Sequence, residues 1–243
     1  MSVATHLDPI SLTELTEKAA LQTRVDRKYV LRWDDAMALL PALDRTTRVL
    51  EIDGERNFRY RSVYFDTPDL VCFRLTAHRR RRRFKVRTRT YLDSALCWLE
   101  VKTEGFRGGT VKNRLPYEVG DFETVAPGRW FVEEILGDRA VVELAPVLVS
   151  EYRRTTFYLP DGDSRVTLDT ELSWNGVDGD VLTPRNLAII ETKTASAASP
   201  VDRLLWARGH RPTAISKYAT GLSALRPELS APRWRRTLRT HFW

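Results

Sequence analysis

A row of alternating cations runs through Arg79 to Tyr91, RRRRRFKVRTRTY. Arg83, Lys85, Arg87 and Arg89 fall on one parity, and Phe84, Val86, Thr88 and Thr90 on the other. A period of two with β-branched and aromatic residues on the second face predicts a strand. Same-face neighbours in a strand stand about 7 Å apart, so adjacent cations repel by roughly 2 kcal/mol at an effective dielectric of about 20. Water screens such a row on the outside of a sheet; an anion compensates it inside a binding site. Arg79 to Arg82 read as a solvated lead-in.

Four further segments decide between these. CWLEVK (Cys97 to Lys102) puts Glu100 and Lys102 on one parity, and SEYRRTTFY (Ser150 to Tyr158) does the same with Glu151 and Arg153. RVTLDTE aligns Arg165, Thr167, Asp169 and Glu171, and LAIIETK aligns Glu191 and Lys193. A single amphipathic strand is ordinary. Five with charges on one face, four of them of both signs, predict a closed sheet whose charged faces meet in a polar lumen. Arg24 to Leu31 supplies a first strand, with Arg24 and Lys28 on one face and Lys28 a lumen candidate. The fold class expected is β-dominated α+β, a closed antiparallel barrel with flanking helices.

The inventory suits phosphoryl transfer, where catalysis is largely positioning and charge neutralisation. Arg87, Arg89, Arg153 and Arg165 offer guanidinium forks for phosphate oxygens. Glu191, with Glu100, Asp169 and Glu171, offers oxygen ligands for Mg²⁺ or Mn²⁺. The alternative is that these acids pair with the lumen cations. Lys112 and Arg114, in the basic loop GFRGGTVKNR, can touch a substrate at the barrel mouth. Other chemistries are missing their residues. His6, His78, His210 and His241 are scattered, and there is no HExxH, no G-x-S-x-G, no CxxC and no GxxxxGK[ST].

The 243 residues carry a formal charge of +7, which calls for anionic partners without choosing among them. Arg outnumbers Lys 32 to 7, so lysines kept in the charged segments are candidates for point charges on phosphate. Cys72 and Cys97 give no disulfide framework. With neither a signal peptide nor a spanning apolar run, the chain is expected to be cytoplasmic; a membrane-bound partner stays open.

Helices are expected at Ser11 to Leu21, opened by the capping box Ser11-x-x-Glu14, at Asp34 to Leu40, and at Pro127 to Leu136. Others start at Ser199-Pro200 and near Ser216, which would cap its helix and aim a partial positive charge at an anion. Residues 226–243 read as a basic, aromatic tail, disordered or docked on a partner, outside a domain spanning 10–225. Aromatic residues mostly on the core parity leave no stacking platform, so nucleic acid is not the expected partner.

Taken in order, the motifs resemble one family. They are R-x-x-x-K-Y at Arg24 to Tyr29, S-x-Y-F-D-T at Ser62 to Thr67, K-x-R-x-R-x-Y at Lys85 to Tyr91 and E-x-K at Glu100 to Lys102. They continue as Y-R-R-T-x-F from Tyr152, R-x-T-L-D-T-E from Arg165, E-x-K from Glu191 and S-K-Y from Ser216. The set resembles the catalytic domain of the vacuolar transporter chaperone (VTC) polyphosphate polymerases, within the CYTH-related triphosphate tunnel metalloenzymes. The resemblance implies an eight-stranded antiparallel tunnel and synthesis of inorganic polyphosphate from ATP with Mn²⁺ or Mg²⁺. It implies phosphate binding by Lys28, Arg87, Arg89, Lys102, Arg153, Arg165, Lys193, Ser216 and Lys217, with Glu191 holding the metal. Lys102, Arg87, Arg89 and Arg153 are the expected catalytic set. A tripolyphosphate or nucleoside triphosphate hydrolase is the alternative enzyme, and a polyphosphate-binding module without turnover the alternative outside enzymology.

Overall fold

The computed structural model describes residues 4–18, 25–105, 109–137, 143–195, 197–229 and 232–243. The chain opens with β1 (Asp8–Ile10), α1 (Leu12–Lys18), β2 (Val25–Leu31), α2 (Trp33–Met37) and β3 (Arg48–Leu50). It continues through β4 (Phe58–Asp66), α3 (Val71–Ala77), β5 (Phe84–Tyr91), β6 (Leu96–Glu104), β7 (Thr110–Tyr117) and α4 (Arg129–Leu136). Long strands β8 (Ala145–Leu159) and β9 (Ser164–Gly176) follow, then β10 (Val181–Leu182), β11 (Ala188–Thr194), α5 (Pro200–Ala207), α6 (Lys217–Leu225) and α7 (Arg235–His241).

Eight strands pair antiparallel in the order β2-β11-β9-β8-β4-β5-β6-β7. Registers such as Lys28 opposite Glu191, Tyr64 opposite Arg87 and Lys85 opposite Lys102 put the charged parity of most strands on one face. The sheet curls strongly about that face. Lys102 on β6 feels the charge of Glu191 on β11, and Lys85 on β5 that of Lys28 on β2, although the strands lie far apart along the sheet. The expected closure is corrected in one respect. Among the described residues no ladder joins β2 to β7, so the tunnel is a half-barrel with a seam.

Apolar parities face outward and are covered. Tyr29, Leu31, Phe157, Val166, Leu168 and Ile190 pack under α2 and α5, while Val132 and Leu136 of α4 join the core containing Val86, Leu99 and Val101. Gly128, just before α4, is needed there, since a Cβ would lie 2.4 Å from Leu99 Cδ2. The concave side is filled at one end by α6, buried from Tyr218 to Ala224. Gly221 admits the Trp174 ring, whose atoms an added Cβ would meet at 2.3 Å. Asp66 locks this end: it accepts from the Cys72 and Phe73 amides at 2.8 and 2.9 Å and from the Tyr218 hydroxyl.

The tail expected to be disordered or bound to a partner docks on the domain itself. Trp234, Leu238 and Phe242 recur at helical spacing, all three are buried, and Trp234 Nε1 donates to the Ala214 carbonyl at 2.7 Å. No helix among the described residues is long and apolar enough to cross a membrane.

Candidate functional site

The concave face gathers side chains from β2, β11, β9, β8, β4, β5, β6 and β7, plus the start of α6. On β5, Arg87 reaches Glu100 of β6 through Nε at 2.7 Å and Nη2 at 2.5 Å, and Lys112 of β7 reaches the other carboxylate oxygen at 3.1 Å. Burial opposes ionisation of Glu100, yet Arg87, then Arg89 and Lys112, hold its carboxyl well below the usual range. Arg89 lies 5.8 Å from the Tyr60 ring centroid. Glu191 stands between Lys193 at 3.0 Å and Lys28 at 3.5 Å; against its burial, these cations keep it ionised.

Desolvation sets the lysines. It pushes Lys102 well below its ordinary value, helped by Arg87 and Arg89 and opposed by Glu191 and Glu100. It lowers Lys85 to about 7, with Lys28, Arg87 and Arg83 adding repulsion, and Lys193 to about 8 against the pull of Glu191. Cations this short of counter-charge favour an incoming polyanion. Lys85 Nζ donates to Ser216 Oγ at 3.1 Å, and Ser216 caps α6 by accepting from the Ala219 amide. The positive end of the α6 dipole therefore adds to the same field.

Sequence-predicted residues divide as follows. Lys28, Lys85, Arg87, Arg89, Lys102, Lys193, Ser216 and Lys217 converge on the concave side, as do Glu100 and Glu191. Lys112 and Arg114 lie on the exposed edge strand β7, Arg114 4.6 Å from the Trp98 ring centroid. Arg165 has the inward parity near one end and donates to the Leu15 carbonyl at 3.1 Å. Arg24 lies outside the described residues.

Two expectations are corrected. Arg153 and Glu171 pair with each other at 3.1 Å on the outer face, 40% and 70% exposed. Across from Glu151 to Arg153 of β8, β9 carries one extra residue between Thr170 and Ser173; this bulge, at Glu171 with its left-handed φ of 49°, breaks the alternation of β9 and turns Glu171 out. The inward arginine is Arg154, which the sequence reading missed. It forks onto Asp169 at 2.6 and 2.8 Å and lies 5.2 Å from the centroids of both Tyr60 and Tyr152. Lys217 joins the same carboxylate. Period two cannot choose between adjacent arginines; the partner acid at Asp169, cross-strand from Arg154, was the available signal.

Aromatic residues also share the cationic face, against expectation. Tyr60 and Tyr152 stack at 5.3 Å, and Tyr64 stacks on Tyr218 at 5.2 Å. All four rings are buried by one another and by the arginines, so they support cations rather than offering a surface for bases.

The three-carboxylate metal set does not assemble. Glu171 faces out, Glu100 is taken by Arg87 and Lys112, and no cluster of three or more metal-ligating groups occurs among the described residues. Glu191 is paired with two lysines rather than forked by a guanidinium, which fits a cation arriving with phosphate oxygens better than one held by protein alone.

A curled antiparallel sheet with this cationic concave face defines a CYTH-like triphosphate tunnel domain. Residues 23–226 match the family model of the VTC domain, and the chain belongs to that family. Membership implies chemistry on triphosphates, by phosphoryl transfer or by hydrolysis. A search of curated proteins gave no match. Among solved structures, a putative adenylyl cyclase from Hippeastrum, described as having a dominant triphosphatase activity, is 15% identical over 87% of this chain and 99% of its own, with a TM-score of 0.51. A putative adenylate cyclase from Vibrio parahaemolyticus is 15% identical over 85% and 88%, with a TM-score of 0.41. These likenesses concern the fold.

Proposed function

We propose that this domain synthesises inorganic polyphosphate from the terminal phosphate of ATP, with Mn²⁺ or Mg²⁺, in the cytoplasm. The observation that carries the reading is the pairing of three buried acids of the site with its cations. Glu100, Asp169 and Glu191 are all held below the ordinary carboxylate range by cations, Asp169 at about 2. They are poor proton acceptors. The terminal oxygen of a phosphate chain is already anionic and needs no base, whereas attacking water does.

In the proposed reaction that oxygen attacks the γ-phosphorus, the bond to the β-phosphate bridging oxygen breaks, and ADP leaves with the electron pair. Arg87, Arg89 and Arg154 orient the phosphates, while Lys102, Lys85 and Lys193 neutralise the charge developing on them. Glu191 would hold a divalent cation arriving with the substrate, which would supply further charge neutralisation.

Hydrolysis is the second reading, favoured by the triphosphatase description of the Hippeastrum relative. Incubation with ATP and Mn²⁺, with long-chain polyphosphate and free phosphate measured separately, tests the choice. Long chains are expected, and Lys102→Ala or Glu191→Ala should abolish them. Free phosphate alone supports hydrolysis, and no product with tight binding supports a module without turnover.

A further inference from the structure

The arginine run before β5 is not an isolated solvated loop. Arg79 and Arg81 are exposed in the turn after α3, and Arg83 follows, bound to Glu104 at the base of β6. Arg233 of the C-terminal segment joins them. Its Nη1 donates to the Thr76 carbonyl at 2.9 Å, the same oxygen that accepts from the Arg79 amide at 3.2 Å. Trp234 anchors this contact, 6.3 Å from the Phe73 ring, with the Arg233 guanidinium 5.1 Å from the Trp234 centroid. Two segments far apart in sequence are thus folded so that their arginines meet, at a cost in repulsion. Arg233 feels Arg79 and Arg83, and Arg83 in turn acts on Lys85 inside the tunnel. One line of cations therefore runs from Arg89, Arg87 and Lys85 out to Arg83, Arg79 and Arg233. Arg233 lies outside residues 23–226, which match the family model, whereas Arg79, Arg81 and Arg83 lie within them.

We propose that Arg79, Arg81, Arg83 and Arg233 form an external track that carries inorganic polyphosphate too long for the tunnel. The inference rests on the polyphosphate reading above. Observations disfavour other polyanions. The neighbouring rings Phe73 and Trp234 are buried, so no base-stacking platform accompanies the arginines. The apolar face of α7, Leu238 with the flanking Trp234 and Phe242, is spent on the core, which leaves Trp243, 62% exposed, as the one large apolar side chain of this segment open to solvent and no apolar helix face to lay on a lipid surface.

The test compares binding of tripolyphosphate and of polyphosphate of about 100 units to the full chain across salt concentrations. Arg79→Gln/Arg81→Gln should weaken the long chain about tenfold and flatten its log–log salt slope by about 0.7 per lost contact, leaving tripolyphosphate unchanged. Arg233→Gln should act in the same direction. A control of equal charge change, Arg45→Gln/Arg185→Gln at two exposed sites, should do neither. Equal losses for both ligands, no loss for the long chain, or the same loss in the control overturns the track. So does an equal, variant-sensitive affinity for single-stranded DNA or phosphatidylserine vesicles. If tripolyphosphate itself fails to bind, the tunnel reading falls and the track with it; if it binds normally and the variants are silent, only the track falls.

Discussion

Replacing Glu100 by Gln separates two roles for that residue, metal ligand and internal counter-charge. Glu100 is 1% exposed and accepts from Arg87 twice and from Lys112 once. Glutamine keeps the shape and one acceptor oxygen but removes the charge, leaving Arg87 buried beside Arg89 and Lys102. Breaking a buried ion pair from one side costs about 3–5 kcal/mol, and the retained amide argues for the lower end. At about 2–4 °C per kcal/mol for a domain of this size, the free protein should lose about 6–12 °C in Tm. Tripolyphosphate supplies the missing negative charge. In EDTA, a saturating ligand at about 100 Kd stabilises by about 2.7 kcal/mol, and tighter binding by the variant should enlarge its ligand-induced Tm shift beyond the wild-type one. The pH sign agrees: with a depressed folded pKa, the Glu100 contribution is present above about pH 4.3 and is lost only as pH falls through the folded value. Thermal unfolding of both proteins, with and without tripolyphosphate, checks this. An unchanged Tm, or a ligand shift no larger than wild type, refutes the counter-charge assignment.

Arg154→Ala should lower turnover at least about 100-fold and Arg153→Ala less than about twofold, read as initial rates with circular dichroism as a fold check; the reverse order would put the sheet faces the wrong way round. Lys85, lowered to about 7, should be largely neutral in the free protein at pH 8.5 and charged beside phosphate. Tripolyphosphate binding should then take up a proton at pH 8.5 and much less at pH 6, measured by calorimetry in buffers of different ionisation enthalpy, and Lys85→Met should reduce the uptake, with Lys193 contributing the remainder. Because the folded value lies below the unfolded one of about 10.4, the unfolded chain holds the extra proton between them, so stability of the free protein should rise with pH across about 7 to 10. A flat proton count excludes the desolvated-lysine account.

Alternation alone determined much of this protein. Lys85, Arg87, Arg89, Glu100, Lys102, Glu191 and Lys193 sit on strands with a regular period of two, so a shared face followed from the spacing of side chains along one chain. Ser216 was legible for a similar local reason, because a cap is defined by residues three apart. Only the tertiary structure decided Arg154 over Arg153, the outward turn of Glu171, the rings beneath the arginines, the open seam between β2 and β7, and the docking of Trp234, Leu238 and Phe242. Each of these depends on what lies across a ladder or a fold contact: a bulge resets parity, a partner acid selects one of two neighbouring arginines, and an apolar helical face finds its core. Such pairings are set by register and by distance in space, which a single strand's pattern does not contain.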